Sequence, residues 1–119
     1  MDAQEFKDRT MSFGMAVMDL VEALPRKLIP DVLGRQLVRS ATSVGANYRA
    51  ACRAKSPADF IYKMELVEEE VDESAYWLEL IDRRSLAKAA ILKPLRQEAD
   101  ELTALVVASI RTAKGNRSR

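Results

Sequence analysis

The sequence predicts an all-α protein, an antiparallel up-down-up-down four-helix bundle, on three observations. Apolar residues recur at steps of three and four through four separate stretches. The segments between them are short, which makes successive helices antiparallel neighbours. Helix breakers are sparse, with four glycines and four prolines in 119 residues. A chain of this length holds one hydrophobic core, so residues 1–119 read as one four-helix-bundle domain.

The first helix is expected over residues 3–24. Phe13, Val17, Leu20 and Leu24 form its apolar stripe, with Met11, Met15 and Met18 beside it. Gly14 costs about 1 kcal/mol against Ala inside a helix, and lets a neighbouring helix come close. Pro25 and Pro30 bracket a loop in which Leu28 and Ile29 are expected to tuck against the end of the bundle. The second helix is expected over 31–53, capped by Asp31. Its seam is Leu37, Ala41, Val44, Tyr48 and Ala51. Ser40, Thr42, Ser43, Gly45 and Asn47 are weak helix formers, so packing must hold this helix together.

Ser56-Pro57-Ala58-Asp59 is the clearest local signal. It offers an N-cap serine, a proline at the first helical position and an acid that closes a capping box. The third helix follows over 57–82, with a seam of Phe60, Met64, Val67, Val71, Ser74, Leu78 and Ile81. Pro94 is expected to interrupt any helix through it, which places a turn near residues 86–90 and the fourth helix over 92–114. Leu95, Ala99, Leu102, Val106, Ile110 and Ala113 are its seam. Gly115 is its expected stop, and the last four residues, NRSR, read as a frayed polar tail.

Composition narrows the function classes. Hydrophobic residues at 48% and charged residues at 31% suit a folded globular chain rather than a disordered one. No stretch approaches the ~20 apolar residues of a membrane span, so no membrane partner is expected. The start, MDAQEFKDRT, is acidic and polar, unlike a secretory signal. A single cysteine cannot close an intrachain disulfide. A cytoplasmic protein is expected. Net charge is +1, unevenly placed. Residues 34–56 carry five cations and no anion, and residues 57–82 carry nine anions and one cation. This is not the broadly basic profile of a strong nucleic-acid binder.

Histidine is absent, which removes the commonest general base and metal ligand. No phosphate-cradling glycine loop is present. The acids Glu65, Glu68, Glu69, Glu70, Asp72 and Glu73 lack the histidines of di-iron bundles, so they read as a solvated or partner-facing acidic face. No catalytic residue, metal or cofactor is expected, and the chain reads as a non-enzyme.

What remains is surface chemistry. Arg35, Arg39, Arg49 and Arg53 fall in two i,i+4 pairs with no acid among them, and Lys55 follows. They either contact phosphates or a partner, or pair with acids of the third helix or of a neighbouring subunit. Tyr48 could stack on a base, but its place on the seam favours the core or an oligomer interface. Tyr76 and Trp77 point about 100° apart on a helix, so one can pack inside while the other reaches a subunit boundary. Asn47 borders the seam, where a buried, hydrogen-bonded amide would fix register. Gly45 and Ala46 would let helices approach closely, and Cys52 reads as a small interior or interface residue.

Two runs carry a resemblance: QLVRSATSVGANYRAACRAKS at Gln36–Ser56 and DFIYKMELVEEEVDESAYWLELI at Asp59–Ile81. With ELTALVVASIRTAK at Glu101–Lys114, they resemble the 23S rRNA intervening-sequence protein family, which is similar to the accessory proteins of diversity-generating retroelements. The family often has an acidic residue soon after the asparagine, where this chain has Ala50. The resemblance implies an antiparallel four-helix bundle that assembles, with rings of five in the wider family. It carries no established catalytic activity, and it brings RNA or DNA into view as a partner. The expected function is a non-enzymatic homo-oligomeric module that recruits a protein partner. The alternative is a nucleic-acid-binding accessory protein acting through the basic face of the second helix.

Overall fold

The structure is a computed structural model and describes residues 1–117. It consists of four helices: α1 (Ala3–Glu22), α2 (Leu28–Ala51), α3 (Pro57–Arg83) and α4 (Ala89–Arg117). They form a rod of 52 × 21 × 21 Å, an antiparallel bundle in which each helix packs on the next and α4 closes back on α1. Ser118 and Arg119 of the expected polar tail lie outside the described residues.

Local chemistry sets most helix ends. Asp2 caps α1, its carboxylate accepting from the Glu5 backbone N–H at 2.8 Å. Ser56 caps α3 by accepting from the Asp59 N–H at 3.1 Å. Asp59 in turn accepts from the Lys55 N–H at 3.0 Å, one residue before the cap, rather than from the Ser56 N–H that a capping box would use. The Lys55 N–H, and after it Lys63 at 3.1 Å, hold the Asp59 carboxyl below its ordinary range.

Three boundaries depart from the sequence expectation, each for a physical reason. Helix α2 starts at Leu28 rather than Asp31, and Lys27 is its N-cap without a side-chain bond. Pro30 then sits in the first turn, where a backbone N–H has no helical acceptor to lose. Leu28 and Ile29 project into solvent, at 75% and 49% exposure, instead of tucking beneath the bundle. Helix α4 starts at Ala89 and runs through Pro94. The proline comes within two turns of the helix start, and the carbonyl it deprives belongs to exposed Ala90. Buried Leu92 and Leu95 anchor the helix on both sides of it. Gly115 does not stop α4, which continues to Arg117.

The α3–α4 turn is a Schellman motif. The Leu86 N–H donates to Ile81 O at 3.0 Å and the Ser85 N–H to Asp82 O at 2.9 Å. Ser85 takes the left-handed conformation, φ 53°, that glycine usually supplies.

The core is a continuous column of the predicted seams. Phe13, Val17, Leu37, Val44, Met64, Val67, Val71, Leu78, Leu102 and Val106 are all essentially inaccessible. Ile61 rather than Phe60 begins the α3 seam, with Phe60 packed half-buried at the edge. Phe6, which the sequence reading left out, closes one end of the column and packs edge-on against Tyr48, ring centroids 4.5 Å apart.

Helices α1 and α2 touch through glycine. A Cβ at Gly34 would lie 2.8 Å from Val21 Cγ1, and one at Gly45 would lie 3.3 Å from Thr10 Oγ1. Helix α1 is tied to α4 by Arg9, which donates to Glu98 at 2.8 and 2.6 Å and to Glu101 at 3.2 Å.

Candidate functional site

The residues singled out by sequence fall into three settings. Tyr48 is in the core, its ring against Phe6. Burial and the Cys52 thiol beside it push its hydroxyl up to about 12. Cys52 itself is exposed, not interior. Gly45 sits at the α1–α2 contact, where it allows the close approach expected of it.

Asn47 does not do what its position suggested. It is half-buried, and its amide makes no hydrogen bond among the described residues. The buried polar contact between helices is made instead by two serines. Ser74 Oγ lies 2.8 Å from Ser40 Oγ, and both residues are wholly inside. Sequence contained the signal, because Ser74 sits on the α3 seam and Ser40 adjoins the α2 seam. It lacked the register that brings the two level.

The basic residues divide. Arg39 reaches α3 and pairs with Glu73 at 2.5 Å and Glu70 at 3.5 Å. Burial, and repulsion from Glu73, raise the Glu70 pKa, and Arg39 only partly offsets this. Arg35, Arg49, Arg53 and Lys55 are exposed and have no ion-pair partner among the described residues. Arg35 lines an open groove of about 580 Å³ between α1 and α2, together with Val21, Leu24, Gly34 and Val38. Glu22 and Asp31 share the groove without bridging to it.

Helix α3 is acidic on its outer side. Glu65, Glu69 and Asp72 are exposed and form no ion pair among the described residues. Tyr62 and Tyr76 project from the same helix at 60% and 56% exposure. Tyr76 meets Trp77 edge-on at 5.1 Å. Trp77 packs half-buried against the core, and its indole N–H is buried without an acceptor among the described residues. Residues Met11, Met15 and Met18 stand out from α1 at 56%, 52% and 41% exposure.

The carboxylates of α3 spread along the helix, and among the described residues no three Asp, Glu, Cys or His side chains converge as a metal site would need. Among the described residues, no helix is long and apolar enough to cross a membrane.

Four amphipathic helices packed around one apolar column define the class, a four-helix-bundle protein. Comparison with known proteins places it further. Residues 3–108 match the profile of the 23S rRNA-intervening sequence protein family, and the chain belongs to that family. A solved structure from Bacteroides thetaiotaomicron VPI-5482, a protein of unknown function from the S23 ribosomal protein family, superposes with a TM-score of 0.86. It is 32% identical, over 93% of this chain and 99% of that one. No curated protein matches the chain.

Proposed function

We propose that the protein is a non-enzymatic assembly module of the cytoplasm, which associates with copies of itself and offers the joint surface to a protein partner. One observation carries this reading: large apolar side chains stand in solvent at helical spacing on two helices. Met11, Met15 and Met18 repeat at four and three on α1, and Tyr62 and Tyr76 lie two heptads apart on α3. Scattered apolar residues are ordinary on a monomer, whereas aligned rows are the mark of association surfaces. The family resemblance supports rings of five, near ~67 kDa from chains of 13.3 kDa. Light scattering at micromolar concentration tests this. A mass well above one chain is expected, and a monomer would sink the reading.

A second reading rests on the exposed cations Arg49, Arg53 and Lys55, which gather where α2 ends and α3 begins. Exposed Arg111 near the end of α4 lies at the same end of the rod. Such a cluster suits phosphate contacts, and the family name refers to an RNA insert. Filter binding of a structured RNA and a duplex DNA tests it. Affinity that falls steeply with salt is expected, and no salt-sensitive binding would rule it out.

A further inference from the structure

We propose that the arginine-bearing outer face of α1 and α2 docks onto the acidic, tyrosine-bearing outer face of α3 in a second copy of the chain, so that each chain uses one face of each kind. The inference rests on the self-association proposed above and specifies its surfaces and polarity.

Charge spacing is the first ground. Arg35 and Arg49 are fourteen residues apart, as are Arg39 and Arg53. On α3, Tyr62, Glu69 and Tyr76 repeat every seven residues, and so do Glu65, Asp72 and Glu79. Fourteen residues of helix span ~21 Å and return to nearly the same side. Both faces therefore carry rows with one repeat, cationic on α2 and anionic on α3.

The second ground is what the chain satisfies by itself. Arg39 shows the pairing within one molecule, reaching Glu70 and Glu73. Arg35 lines the α1–α2 groove with Val21 and Gly34 and forms no ion pair among the described residues. Arg49 and Arg53 likewise find no acid among the described residues. Glu65, Glu69 and Asp72 find no cation among the described residues. The carboxylates within the groove, Glu22 and Asp31, temper Arg35 but leave Arg49 and Arg53 uncompensated. What one chain leaves unpaired on α2 matches what another leaves unpaired on α3.

Polarity follows from the same charges. A two-fold pairing of either face with itself would set guanidinium against guanidinium or carboxylate against carboxylate, a repulsion that disfavours it. Pairing unlike faces avoids this and is heterologous, leaving one face of each kind for the next chain until the assembly closes. The exposed methionines of α1 and the exposed tyrosines of α3 add apolar area to the two faces.

The test uses two charge-reversed full-length chains, R35E/R49E/R53E and E65K/E69K/D72K. All six residues are exposed and free of ion pairs among the described residues, and circular dichroism checks that each variant keeps its helix content. Light scattering is then read on the wild type, on each variant alone and on their equimolar mixture. The expected result is an oligomeric wild type, two monomeric variants and an assembly of more than one chain in the mixture. Variants that keep the wild-type mass, or a mixture that stays monomeric, overturn the face pairing while self-association stands. A monomeric wild type overturns both. A monomeric wild type that binds structured RNA through Arg49 and Arg53 assigns the basic face to nucleic acid instead, and also overturns the proposal.

Discussion

Ser74 Oγ lies 2.8 Å from Ser40 Oγ in the middle of the α2–α3 contact, with neither residue open to solvent. Each hydroxyl also has a carbonyl of its own helix in reach, Leu37 O at 3.2 Å for Ser40 and Glu70 O at 2.9 Å for Ser74. One proton therefore crosses between helices while the other is donated back along one of them. The bond between the two hydroxyls forms only when the helices stand in this register.

Removing one serine leaves the other a backbone acceptor, so the loss is moderate. Ser40→Ala and Ser74→Ala should each destabilise the fold by about 1 kcal/mol. The double variant should cost less than the two together, because no hydroxyl is left without its partner. Urea denaturation of the four proteins gives the coupling. Strict additivity would show that the serines act independently.

Gly34 and Gly14 should respond to alanine with opposite signs. At Gly34 the new methyl meets Val21 Cγ1 at 2.8 Å and must displace it, an overpacking cost of about 1–3 kcal/mol. At Gly14 the nearest atom, Ala41 O, is at an ordinary 3.7 Å, so the gain in helix propensity of up to about 1 kcal/mol should prevail. Thermal melts should place Gly34→Ala below the wild type and Gly14→Ala at or above it.

Ser85 holds a left-handed backbone at φ 53° to complete the turn after α3. That conformation costs a residue with a Cβ about 1–2 kcal/mol. Ser85→Gly relieves it, less the extra chain entropy glycine loses on folding. A midpoint raised by a few degrees in thermal unfolding is the expected outcome, and a lowered midpoint would contradict it.

Tyr48 links stability to alkaline pH. Its hydroxyl is pushed up from 10 to about 12 by burial and the neighbouring Cys52 thiol, so the folded chain keeps a proton that the unfolded chain releases. A raised folded pKa contributes stability that is intact below pH 10 and lost as pH rises toward 12. Tyr48→Phe keeps the ring against Phe6 and removes the proton, so its stability should fall less across that window. Urea denaturation at a series of pH values would read the difference.

The seams were legible because each repeats at heptad spacing. Leu37, Ala41, Val44, Tyr48 and Ala51 are all buried as the pattern requires. The serine cap at Ser56 was equally plain. Errors gathered where a residue's intrinsic bias met a forgiving position. Pro30 and Pro94 read as breakers, yet each lies near a helix start, where little bonding is lost. A turn was expected near residues 86–90, but nothing marked Ser85 as its left-handed residue, because that backbone is normally glycine's. On the surface, sequence could name the cations but could not separate Arg39, which is paired across helices, from Arg35, Arg49 and Arg53, which are not. That division depends on which way each side chain leaves the helix.

The order of packing along the chain bears on how it folds. Helices α1 to α4 each dock on the one made just before, so nearly every contact joins segments close in sequence. Only the closure of α1 against α4, fastened by Arg9 on Glu98 and Glu101, brings distant parts together. Bundles dominated by local contacts fold in microseconds to milliseconds. In this one the Arg9 clasp should form after the α2–α3 hairpin, and amides of α1 should exchange with solvent before those of α3.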